Sequence, residues 1–211
     1  AELHTATYAN YFVYWRSGTY ALEGYFASPG QQYNLGYPLS EKPHVWLEYP
    51  GETVVIDHDL GSGTLGAFIN TSSWGNGNDA FIYGIRFQDM LNHAWRTYGS
   101  RQTFFEDTFD NIGPGVDGDN SSFLMYSSTG GINGHYYNLI KDCTFQNLNV
   151  GTGNSYLKIY STTKLVIADN AFSTSTNGSS GEGIAVKAYA EYTDIRHNTF
   201  TDIPNNVING N

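Results

Sequence analysis

The chain has 211 residues, the length of one domain or of a solenoid with a handful of turns, and its 40% hydrophobic content excludes wholesale disorder. Only 14% of residues are charged while Gly numbers 24, a balance that disfavours long surface helices and suits short strands joined by turns. The formal charge of −10 excludes nucleic-acid duplexes and anionic membrane surfaces as partners, since both would be repelled.

In chain order, residues 11–15 alternate as a strand and Ser17-Gly18-Thr19-Tyr20 reads as a turn. Residues 44–47 and 54–56 read as strands flanking the turn Tyr49-Pro50-Gly51-Glu52. The first 80 residues are therefore expected to form irregular N-terminal rungs of one domain spanning 1–211, with regular rungs from 81 to the end.

The regular part rests on an internal repeat. Residues 81–90, 103–112, 139–148, 166–175 and 194–203 share one pattern: an apolar residue, a Phe five places later, and usually an apolar residue three places beyond it. Stacked, they form three columns: Ile82, Phe104, Ile140, Ile167 and Ile195; Phe87, Phe109, Phe145, Phe172 and Phe200; and Met90, Ile112, Leu148 and Ile203, with Ser175 as the exception. The Phe residues are 22, 36, 27 and 28 residues apart, which suits a solenoid whose loops lengthen on one side. The expected fold is all-β: a single-stranded right-handed parallel β-helix.

Each repeat carries a further strand, residues 95–98, 123–126, 157–160 and 184–187. Alternation sends Phe123, Met125, Leu157, Ile159, Ile184 and Val186 inward. The opposite face then presents Tyr98, Tyr126, Tyr160 and Lys187 in one column and Arg96, Leu124, Lys158 and Ala185 in the next. Sugars bind strips of rings edged by cations, so Tyr98, Tyr126, Tyr160, Arg96 and Lys158 are candidate substrate-binding residues. A tyrosine ladder that stabilises only the sheet is the other reading.

The bends carry polar chemistry. Asn170 and Asn198 stand two places before a Phe, where Asp107 and Cys143 stand in other rungs, and side-chain amides at such bends form ladders between rungs. Cys143 reads as a small buried wall residue, and as the single cysteine it forms no intrachain disulfide. Glu106, Asp142 and Asp169 stand three places before the Phe, so they are expected to stack about 5 Å apart. Carboxylates so close repel unless a cation is shared, and calcium accepts them; the loop bearing Asp117 and Asp119 is a second oxygen-rich candidate. Exposed acids on turns are the plainer alternative.

No run is long enough to span a bilayer, and the six histidines show no metal spacing. Low charge, 17 Tyr and a start at Ala1 fit a secreted, extracellular chain. Residues 207–211 read as the opening of another inner strand, so the solenoid is expected to be incomplete at that end, with open edges that self-associate.

The segments SGTY (from Ser17) and KPHVWLEYPGETVVID (from Lys42) resemble the opening rungs of secreted β-helix proteins, many of which act on polysaccharides. GEGIAVKAYAEYTDIRHNTF, from Gly181 to Phe200, resembles a rung of the alginate lyase and chondroitinase B group. That resemblance implies a Lys187 base removing a proton beside a sugar carboxylate, with Glu182 helping to hold a calcium that neutralises the carboxylate. The chain departs from the pattern at Ser180, where the group has a second acid, and at residues 208–211, where it has an Arg. The expected function is binding, and cleavage by β-elimination if the chain is an enzyme, of an acidic or neutral polysaccharide. A non-catalytic structural or adhesive extracellular protein, assembling with itself or a protein partner, is the rival.

Overall fold

Runs of two to six residues give strands and no helix among the residues that the structure describes. It is a computed structural model, describing residues 12–21, 44–57, 67–70, 79–90, 93–97, 99–112, 121–125, 135–147, 155–173, 182–187, 190–203 and 207–210.

The strands, numbered in chain order, form three large parallel sheets. Sheet 1 holds β1 (Phe12–Trp15), β3 (His44–Glu48), β6 (Ala80–Tyr83), β9 (Thr103–Phe105), β13 (Leu139–Lys141), β17 (Val166–Ala168) and β20 (Asp194–Arg196). Sheet 2 holds β2 (Gly18–Ala21), β4 (Val54–Asp57), β7 (Ile85–Met90), β10 (Thr108–Ile112), β14 (Thr144–Gln146), β18 (Ala171–Ser173) and β21 (Thr199–Thr201). Sheet 3 holds β5 (Ala67–Asn70), β8 (His93–Thr97), β11 (Ser121–Met125), β15 (Ser155–Tyr160), β19 (Glu182–Lys187) and β22 (Ile208–Gly210). A two-stranded sheet pairs β12 (His135–Tyr136) with β16 (Thr162–Thr163). From β3 onward the chain visits sheets 1, 2 and 3 in the same cyclic order, and each strand pairs with its counterpart one circuit away.

The expected columns are the observed register. Ile82, Phe104, Ile140, Ile167 and Ile195 are successive partners in sheet 1. The five Phe of sheet 2 are successive partners too, with rings stacked 4.8–5.4 Å apart. Ile56 and Tyr20 continue that column upstream. Of the third column, Met90 and Ile112 pair and are buried; Leu148 and Ser175 lie outside the described residues. In sheet 3, Trp95, Phe123, Leu157, Ile184 and Ile208 form one register line.

One N-terminal expectation is corrected. Gly18–Ala21 is a strand, not a turn, because Thr19 and Tyr20 lie in register with Val55 and Ile56. The bend falls one step earlier, where the Glu52 carboxylate accepts from the Arg16 guanidinium and the Ser17 amide.

Three bends per circuit are made by residues in the left-handed region. Before sheet 1 they are Asp79, Arg101, Tyr137, Lys164 and Tyr192, with φ between 53° and 59°. Between sheets 1 and 2 they are Gly84, Glu106, Asp142, Asp169 and His197, and near the far end of the sheet 2 strands they are Asp89, Asn111, Asn147 and Asp202. Non-glycine residues rarely adopt this conformation, and at the first two bends it is held by amides that donate to a carbonyl on the next circuit, as Glu106 does to Lys141 and Tyr137 to Thr163. At Gly84 the missing Cβ also makes room: one there would lie 2.5 Å from the Glu48 carboxyl carbon.

Candidate binding face

The register places Tyr160 beside Lys187, and Arg96, Leu124, Lys158 and Ala185 in one line, as the repeat implies. Tyr98 and Tyr126 lie outside the described residues. The exposed platform expected on this face is corrected at Lys158, whose side chain is buried with only 2% exposure. Ser155, Tyr156, Leu157, Lys158 and Ile159 are all buried, so β15 is covered on both faces as far as Tyr160. A strand covered on both faces breaks the rule that every second residue meets water. Arg96, Tyr160 and Lys187 are half-buried.

Glu182 is also buried, and both its oxygens are engaged: Ser155 Oγ donates to Oε2 at 3.0 Å and Asn209 Nδ2 to Oε1 at 2.7 Å. This carboxylate ties three adjacent strands of sheet 3 together. Beside it Gly183 sits where a Cβ would meet the Val207 carbonyl oxygen first and the Phe200 ring at 2.7 Å, so the start of β19 packs directly on the Phe column.

Glu106, Asp142 and Asp169 do stack on the bend between sheets 1 and 2. Asp142 and Asp169 find a cation within the chain. Lys141 Nζ bonds Asp142 and lies 3.6 Å from Asp169 Oδ2, while His197 Nδ1 is 3.5 Å from Asp169 Oδ1. Glu106 accepts from the Tyr83 hydroxyl, which raises the phenol's pKa. Among the described residues no three His, Cys, Asp or Glu converge as a metal site requires; Asp117 and Asp119 lie outside them. Cys143 is buried as expected, and burial pushes its thiol well above the usual range, which leaves it a poor nucleophile.

A strip of rings and cations does exist, at a different place. It is the bend before sheet 1, where Asp79, Arg101, Tyr137, Lys164 and Tyr192 follow one another on successive circuits. The left-handed bend throws these side chains outward: Tyr137 is 59% and Tyr192 77% exposed, and Arg101 and Lys164 are exposed as well. Arg101 is forked onto Asp79, with Nε to Oδ1 at 2.5 Å and Nη2 to Oδ2 at 2.8 Å. Lys164 Nζ donates to the Tyr137 hydroxyl at 2.9 Å and lies 4.7 Å from that ring's centroid. The pairing raises the Lys164 pKa and lowers that of Tyr137, and the Tyr192 phenol adds to the rise.

Sequence reading missed this strip because it began each repeat at the first apolar residue. The signal lay three places upstream of the inner residue of sheet 1, where Tyr137 precedes Ile140, Lys164 precedes Ile167 and Tyr192 precedes Ile195. Comparison with family models, with curated proteins and with solved structures returns no match.

Proposed function

We propose that this chain is a right-handed parallel β-helix that works outside the cell by binding a polysaccharide along the bend before sheet 1. The handedness follows the general rule for crossovers between parallel strands of one sheet. The observation that carries the function is the exposed pair Tyr137 and Tyr192, set on either side of Lys164 at rung spacing. Pyranose rings lay their apolar faces on such phenols, and cations beside them take polar or acidic substituents. Low charge and abundant Tyr support the extracellular assignment. The resemblance to the alginate lyase and chondroitinase B group supports the polysaccharide, but cleavage draws little support, because Glu182 is buried with both oxygens engaged.

Affinity electrophoresis through gels cast with alginate, hyaluronan, pectin or a neutral glucan tests the reading. The wild type should be retarded in at least one, and Tyr137→Ala/Tyr192→Ala should run free at an unchanged melting temperature. Free migration of the wild type in every gel would remove the proposal.

A second reading, a structural or adhesive protein, draws on the N-terminal end of sheet 1. Phe12 and Tyr14 are 68% and 56% exposed there, and Phe81 continues the Phe12 line. Rings of that size exposed together favour a protein contact. Concentration-dependent self-association, abolished by Phe12→Ser/Phe81→Ser, would favour it.

A further inference from the structure

Lys164 is a cation without a carboxylate partner among the described residues, on a protein of formal charge −10. Five other cations among the described residues are matched: Arg16 with Glu52, Arg86 with Asp110, Arg101 with Asp79, Lys141 with Asp142 and Arg196 with Asp194. The groups that act on Lys164 are phenols, Tyr137 one circuit before and Tyr192 one circuit after. Hydrogen bonding to Tyr137 occupies one of its three ammonium donors and leaves the others for a ligand.

We propose that Lys164 reads a single acidic sugar flanked by uncharged ones, so that the ligand is a sparsely charged acidic polysaccharide lying across the rungs. The proposal rests on the polysaccharide reading above and adds the charge pattern. Circuits are about 4.8 Å apart, close to the advance of one sugar in an extended chain, so a sugar centred on Lys164 places its neighbours over Tyr137 and Tyr192. An aromatic face carries negative charge density, which welcomes the C–H face of a neutral pyranose and repels a carboxylate. Arg101 does not extend the positive strip, because Asp79 cancels its charge. A polymer with an acid on every sugar would therefore meet one cation, two unfavourable ring faces and an acidic protein.

The test uses three polymers: hyaluronan, in which carboxylated and neutral sugars alternate; alginate, with a carboxylate on every sugar; and carboxyl-reduced hyaluronan, which is neutral. Hyaluronan should bind at least about tenfold more tightly than either other polymer, with an advantage that shrinks as salt rises. Lys164→Gln should erase the advantage over carboxyl-reduced hyaluronan and leave that neutral polymer's binding unaffected, while Lys164→Arg should keep it. Alginate binding as tightly as hyaluronan, or hyaluronan binding unchanged in Lys164→Gln, would overturn the charge pattern and leave polysaccharide binding standing. Absence of binding to all three, together with free migration in the gels described above, would overturn both.

Discussion

Asn170 donates to the Asn198 side-chain oxygen twice, from its backbone N–H at 3.0 Å and from its own Nδ2 at 2.9 Å. The same ladder continues as the Cys143 amide donates to Asn170 Oδ1 at 2.9 Å. Two circuits earlier, Asp107 holds the equivalent bend and takes the Ile85 amide on Oδ1 at 2.9 Å. Its Oδ2 is buried without a hydrogen-bond partner.

That contrast predicts an acid-stabilised rung. Burial, first of all, pushes the Asp107 carboxyl well above its usual range of about 3.8; Glu48 and Glu106 add to the rise, and the Ile85 and Phe105 amides oppose it. A folded pKa above the unfolded one means the contribution is fully present below the unfolded value. It is lost as pH climbs from there to the folded value. Asp107→Asn should remove this dependence and raise stability at pH 7 by about 1–3 kcal/mol, because Asn170 and Asn198 show that an amide here can also donate, to the Ile140 and Ile167 carbonyls. Urea midpoints from pH 4 to 8 check it: parallel slopes for the two proteins would refute the assignment.

The Phe column predicts a uniform cost. Phe145 and Phe172 are buried and stack at 4.8 Å with planes 6° apart. Truncating either to Ala should cost about 3–5 kcal/mol in denaturant unfolding. Ala171→Ser, one residue away on the exposed side, should change stability by less than about 0.5 kcal/mol.

Glu182 and Lys187 should separate as a structural and a surface residue. Glu182→Ala leaves Ser155 Oγ and Asn209 Nδ2 without their acceptor and should destabilise by about 1–3 kcal/mol. Lys187→Ala should stay within about 0.5 kcal/mol. If Glu182→Ala left the melting temperature unchanged while abolishing appearance of unsaturated sugar products, the catalytic expectation would regain its footing.

Lys141 predicts a salt-dependent effect. Lys141→Met exposes Asp142 and Asp169 to each other and should lower the melting temperature at pH 7. The loss should shrink in high salt, which screens the two carboxylates from each other. A loss that persists unchanged in high salt would point to packing of the Lys141 stem on Phe105 instead, where Nζ lies 5.5 Å from the ring.

The chain's own periodicity determined the inner architecture. Ile82 through Ile195, Phe87 through Phe200, the inward Leu157 and Ile184, the Asn170–Asn198 ladder and buried Cys143 all follow from which residues recur at one phase of the repeat. Phase is a local property, because a strand fixes which side chains share a side. What lies against the outer side is not local. Lys158 has the outward phase and is nonetheless buried, while Tyr137, Lys164 and Tyr192 reach water because left-handed bends, fixed by amide-to-carbonyl bonds between circuits, turn them out of the wall. Only the assembled circuits decide coverage, since burial depends on residues far away in the chain, and so the core was legible in the sequence and the exposed strip of Tyr137, Lys164 and Tyr192 was not.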